Sequence, residues 1–100
     1  MLLYNVTVGI DKTVEAEWLI WVRDHHIPAV LATGYFVDCK MYKVLHDQGE
    51  DTTSYSVQFF AESINEVATY LDTAAPAIME AMRAAFRDRH VAFQTLLEEI

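Results

Sequence analysis

The chain has 100 residues, of which 53% are hydrophobic and 12% aromatic, enough for one packed globular domain and too many for a disordered segment. With 15 Asp and Glu against 7 Lys and Arg, the formal net charge is −8, an acidic surface that repels phosphate backbones and anionic lipid, so neither nucleic acid nor a membrane is an expected partner. A single cysteine, Cys39, excludes an intrachain disulfide and a paired thiolate site; with no signal-peptide pattern and no apolar run near the ~20 residues of a membrane span, the expectation is a soluble cytoplasmic protein.

From Leu2 to Ile10, the residues Tyr4, Val6, Val8 and Ile10 alternate with Leu3, Asn5, Thr7 and Gly9, which predicts a strand with one firmly apolar face. Asp11 or Thr13 can cap a following helix whose first turn carries Glu15 and Glu17. Val14, Trp18, Trp21, Val22 and His25 then recur at helical spacing. Pro28 lacks a backbone donor, so this helix should kink or break near His26 and resume through Ala29 to Thr33, with Gly34 ending it in the left-handed region.

Tyr35 to His46 and Tyr55 to Ala61 are rich in aromatic and β-branched residues around a polar Asp47-Gln48-Gly49-Glu50-Asp51 link, the pattern of a hairpin with a long turn. Ser63-Ile64-Asn65-Glu66 matches a capping box at the start of a second helix. Its inner stripe is Val67, Tyr70, Leu71 and Ala74, interrupted by Pro76 and continued by Ile78, Met79, Met82 and Phe86, with Arg83, Arg87 and Arg89 near its negative pole. His90 to Leu97 closes the chain as a fourth strand.

The order β-α-β-β-α-β predicts an α+β, ferredoxin-like sandwich forming a single domain over residues 1–100: a four-stranded antiparallel sheet with two helices on one face. The helix-side set would be Tyr4, Val6, Val8, Val37, Cys39, Met41, Tyr55, Val57, Phe59, Val91 and Phe93. The open set would be Asn5, Thr7, Asp38, Lys40, Tyr42, Ser56, Gln58, Phe60, Ala92 and Gln94. That face is polar yet mostly uncharged, and its amides can both donate and accept, so a homodimer of face-to-face sheets enclosing a half-polar cavity is expected. RNA-recognition modules share this architecture, but their basic sheet and stacking aromatics have no counterpart here.

Leu3-Tyr4-Asn5-Val6-Thr7-Val8, then Trp18 through His26-Ile27-Pro28 to Leu31-Ala32-Thr33-Gly34, then Tyr55-Ser56-Val57-Gln58-Phe59-Phe60-Ala61 and finally His90-Val91-Ala92-Phe93-Gln94-Thr95-Leu96-Leu97-Glu98 resemble a small bacterial family catalogued as a domain of unknown function. The resemblance spans nearly the whole chain and implies a ferredoxin-like fold of the dimeric α+β barrel type. It implies no activity, cofactor or catalytic residue. Wider dimeric α+β barrels include cofactor-free monooxygenases, isomerases and haem-degrading enzymes, and fold alone does not choose among them.

Candidate chemistry centres on a few side chains. His25-His26 invites a metal or acid–base role, but adjacent helical residues point apart and no second ligand pair accompanies them, so no metal is expected. His26 alone, beside the Pro28 break, can aim an imidazole at a cavity mouth; the plainer alternative is a ring that caps a freed carbonyl. Lys40 and Tyr42 share a strand face with Asp38 and can serve an oxyanion or merely an ion pair, whereas Cys39 faces the helices as a small apolar residue. Trp18 and Trp21 are core or interface anchors, and three glycines leave no phosphate-cradling loop, so no nucleotide or other cofactor is expected.

The ligand-pocket candidates are thus Asn5, His26, Lys40, Tyr42, Gln58 and Gln94, around a small, partly apolar molecule between the first helix and the open sheet face. The alternatives are a cofactor-independent enzyme of monooxygenase or isomerase type, and a structural or regulatory interaction module.

Overall fold

The computed structural model describes residues 1–46 and 49–100. The strands are β1 (Leu2–Asp11), β2 (Asp38–Lys43), β3 (Thr52–Ala61) and β4 (His90–Glu98), joined in one antiparallel sheet of order β2-β3-β1-β4. Between β1 and β2 lie α1 (Glu15–Trp21) and α2 (Ile27–Ala32), and between β3 and β4 lie α3 (Ile64–Thr73) and α4 (Ala75–Ala85). This is the ferredoxin-like α+β arrangement that the order of elements predicts.

The core forms where β1 and β3 turn their apolar residues to the helices. Tyr4 is in register with Phe59, Val6 with Val57 and Val8 with Tyr55, all buried. Residues paired across an antiparallel ladder share a face. The alternation in β1 and β3 therefore survives intact, with Asn5, Thr7, Ser56 and Gln58 on the opposite, open side.

In β4 the expected faces are exchanged. Val6 pairs with Gln94 and Val8 with Ala92, which puts Gln94 and Ala92 on the helix side; Thr7 pairs with Phe93 and Gly9 with Val91, which puts those two on the open side. The cause is that β4 carries apolar residues on both faces, Ala92 and Leu96 on one and Val91, Phe93 and Leu97 on the other, and the register with β1 turns the less apolar face inward. Val91 is 72% exposed, Phe93 59% and Leu97 49%, an apolar row along the open side of this edge strand.

Two further boundaries differ. The second strand is Asp38–Lys43, shorter than the Tyr35–His46 run, and Val37 lies exposed before it. Of the link after it, Asp47 and Gln48 lie outside the described residues. Gly34 takes φ 83°, as a left-handed helix stop requires. Ser63 does stand at the N-cap of α3, but its hydroxyl meets the Glu66 carboxylate and not a backbone donor. Leu71, expected inside, is exposed, while Val67, Tyr70, Ala75, Met82 and Phe86 are buried.

The interruption expected near His26 is a change of helix type and not a chain break. A π-helical turn at Val22–His26 joins α1 to α2, and the Ile27 N–H donates to the Val22 carbonyl five residues back. Pro28 supplies no donor for the Asp24 carbonyl and its ring needs room there, and the widened turn meets both demands. The consequence is geometric. Trp18, Val22, His26 and Val30, each four residues from the last, are all buried. On an ideal α-helix that spacing would drift by about 120° from first to last, and the extra residue in the π turn offsets the drift. His26 thus enters the core, and His25, assigned to the inner stripe by regular helical spacing, stays exposed.

Candidate functional site

His26 is 3% exposed, and neither ring nitrogen has a hydrogen-bond partner among the described residues. The ring does not cap a freed carbonyl as the plainer sequence reading expects. Its surroundings are aromatic: Trp21 stacks on it at 5.8 Å between centroids, and Phe59 meets it edge-on at 6.2 Å. Removal from water pushes its pKa down to about 4, so the imidazole is neutral at physiological pH. An unpaired buried polar group costs about 1–3 kcal/mol, a debit that calls for a use.

Beside the ring lies a cavity of about 400 Å³ between the first helical region and α4. Its walls are Trp21, His25, His26 and Ala29 on one side and Ala77, Ile78 and Ala81 on the other. Ala77 and Ala81 are one helical turn apart, so their small side chains open the same face of α4. The alanines and Trp21 were not among the sequence candidates for the pocket. The readable signal was the Ala-rich start of α4 opposite a histidine held at four-residue spacing.

The other candidates lie elsewhere. Asn5, Lys40, Tyr42 and Gln58 share the open face, where Lys40 is in register with Gln58, Tyr42 with Ser56, and Asn5 with Gln58. The amides there bond to neighbouring hydroxyls: Asn5 Nδ2 donates to Thr7 Oγ1 at 2.9 Å, Ser56 Oγ donates to Asn5 Oδ1, and Gln58 Nε2 donates to Ser56 Oγ at 3.2 Å. Lys40 Nζ stands 5.6 Å from the Phe60 ring centre, a cation–π contact on the same face. The sheet separates this group from His26, which packs on Phe59 from the helix side. Gln94 belongs to the helix side by its pairing with Val6.

Cys39 is half-buried against the helix side, and burial together with the neighbouring Asp38 carboxylate pushes its thiol up to about 11, so it is no nucleophile at neutral pH. A second, larger cavity of about 820 Å³ runs between α4 and β4, lined by Met79, Arg83, Arg87, His90 and Ala92 among others. There His90 Nδ1 is tied to the Phe86 carbonyl at 2.8 Å, and Arg83 pairs with Glu80. Near the start of α1, Tyr55 donates to Glu15, as does Thr53 at 3.2 Å, which fastens that helix to β3. Burial and the Glu15 carboxylate raise the Tyr55 phenol to about 12, so it stays protonated. Among the described residues no helix is long and apolar enough to cross a membrane.

Solved structures share this fold over essentially their full length. HapK from Hahella chejuensis superposes with TM-score 0.71 at 10% identity, covering 100% of this chain and 93% of that one. An ethd family protein from Bacillus halodurans gives 0.70 at 9% identity, with 100% of both chains covered. SnoaB, a cofactor-independent oxygenase from Streptomyces nogalater, gives 0.62 at 11%, covering 98% of this chain and 93% of that one. At such identities the likeness is one of fold, that of the ferredoxin-like α+β barrel proteins. None of the curated proteins matches the chain in sequence. The family described as Domain of unknown function (DUF4286) matches residues 1–100, and the chain belongs to it.

Proposed function

We propose that the chain binds a small, mostly apolar molecule in the cavity between Trp21, His26 and α4, and that it does so as a homodimer. The observation that carries the ligand reading is the pair of unpartnered nitrogens on buried His26 at the wall of a 400 Å³ space. Ligand cavities are mostly apolar with a few placed polar groups, and this one has that make-up. On this reading the site lies on the helix side of the sheet and not on its open face, because His26 packs on Phe59 there.

The dimer reading is supported by Val91, Phe93 and Leu97, which leave an apolar row exposed beside the hydrogen-bonded Asn5-Thr7-Ser56-Gln58 centre. Burying such a row returns roughly 25 cal/mol for each Å² removed from water. A second copy offers the same row related by a twofold axis, the simplest self-complementary arrangement. A lone thiol and no disulfide support a cytoplasmic location.

A specific observation favours a second reading, a cofactor-independent enzyme. An unprotonated imidazole, though burial makes it a weak base, can accept a hydrogen bond from a bound substrate, and SnoaB, of the same fold, is a cofactor-independent oxygenase. Binding comes first in either case. A fragment screen by NMR tests it: small apolar fragments should shift the Trp21 and His26 resonances saturably, and Ala81→Leu, which fills the cavity from an exposed helix position, should abolish the shifts. Fragments that saturate nowhere near these residues, or that bind Ala81→Leu equally, overturn the reading.

A further inference from the structure

We infer that the ligand of this cavity is a neutral, flat, conjugated molecule with one hydrogen-bonding group, which stacks on Trp21 and reaches His26 once the Trp21 ring has turned aside. This rests on the ligand-binding reading above and adds the chemical class and the means of entry.

Charge comes first. Among the described residues, the cavity wall carries no Lys, Arg, Asp or Glu, and its titratable members are His25 and His26. An anion entering it would meet no fixed positive charge while approaching a chain of net charge −8, and a cation would meet no carboxylate. A neutral molecule loses least on leaving water for such a site.

Shape follows from which side chains are small. Ala29 on α2 faces Ala77 and Ala81 on α4, so two helices approach with low walls and leave a slot. The Trp21 ring bounds that slot and lies within 27° of the His26 plane. A flat ring system in the slot can lie along the indole face, and keep that contact as the indole turns, in the offset-stacked geometry that aromatic faces prefer.

Entry follows from what seals His26. Both ring nitrogens are buried as well as unpartnered, so a ligand in the slot cannot reach them with Trp21 stacked in place. Trp21 is held by ring contacts, edge-on to Phe86 at 5.6 Å and tilted against His25 at 6.3 Å. Non-directional contacts of this kind can be exchanged for contacts with a ligand's ring. The single hydrogen bond then satisfies a nitrogen that is otherwise orphaned.

Three probes separate the possibilities in the unmodified protein: 1-naphthol, neutral and flat with one hydroxyl; 1-naphthoate, its flat anionic counterpart; and 1-decanol, neutral and flexible. Binding is read from tryptophan emission, assigned with Trp21→Phe, and from the His26 ring nitrogen resonances. The expected result is saturable quenching by 1-naphthol with a His26 shift, and about tenfold weaker binding both of 1-naphthoate to the parent chain and of 1-naphthol to His26→Phe. Equal or tighter binding of 1-naphthoate overturns the neutral class, and binding of 1-decanol without 1-naphthol overturns the flat class; both leave ligand binding at the cavity standing. Binding of 1-naphthol with unchanged Trp21 emission overturns the turning of that ring. If no probe binds, the inference falls together with the reading beneath it.

Discussion

The indole of Trp21 lies 5.8 Å, centroid to centroid, over the imidazole of His26 with an interplanar angle of 27°. That one contact ties together the helix geometry, the burial of the imidazole and the wall of the cavity. It exists because the π turn at Val22–His26 brings His26 inward behind Trp21. Most of the expected outcomes follow from it.

Stability should fall on mild acidification. The folded-state pKa of His26 is about 4, below its ordinary 6.5, so between those values the unfolded chain takes up a proton that the folded chain refuses. Its contribution is complete above about pH 6.5 and is lost as pH falls toward 4; at about 1.4 kcal/mol per pH unit this is about 3 kcal/mol. Urea unfolding from pH 7.5 to 4.5 measures it. In His26→Phe the slope over this window should flatten, because Asp11, whose pKa is lowered by its bonds from Thr13, loses its contribution only below its ordinary 3.8.

Trp21→Ala removes the indole that shields the imidazole. Water then reaches His26, and its pKa should climb from about 4 back toward 6.5, seen by NMR titration of the ring. The loss of packing should cost about 2 kcal/mol, less than for a fully buried tryptophan. An unmoved pKa would mean that Phe59 and the helices, not Trp21, isolate the ring.

Gly34→Ala places a Cβ on a residue at φ 83°, where nothing else crowds it. The strain is therefore conformational alone, and thermal unfolding should report a loss of about 1 kcal/mol. Gly34 is not among the residues that line the cavity, so fragment binding should persist.

Phe93→Glu puts a carboxylate in the middle of the exposed β4 row. If two copies meet through the open sheet faces, light scattering should show the dimer of the parent chain reduced to monomer, since the interface would bury like charges. A parent chain that is already monomeric at micromolar concentration contradicts the dimer.

The sequence was readable where its periodicity has one solution. In β1 and β3 each strand has one apolar and one polar face, so Tyr4, Val6, Val57 and Phe59 could be placed inward without the structure. β4 has apolar residues on both faces, and only its ladder with β1 turns Gln94 and Ala92 inward and Val91 and Phe93 outward. The inner stripe of the first helical region differs from its expected phase for a related reason. Regular helical spacing selects His25, and the π turn, called for by Pro28, shifts the phase so that His26 is buried in its place. Asn5, Lys40, Tyr42 and Gln58 were correctly grouped on one face, but that grouping carried no information about which side of the sheet holds the cavity. The alternation of Trp18, Val22, His26 and Val30 at intervals of four was the available clue.

The most direct test is a crystal structure of protein purified from cells with no ligand added, inspected in the space between Trp21, His26 and Ala81. The account predicts density there that protein atoms do not explain, a polar atom within hydrogen-bond distance of a His26 ring nitrogen, and the Trp21 ring turned off its 5.8 Å stack. A cavity closed by side chains or holding water alone, with Trp21 still stacked and His26 bonded to a protein group, would contradict it.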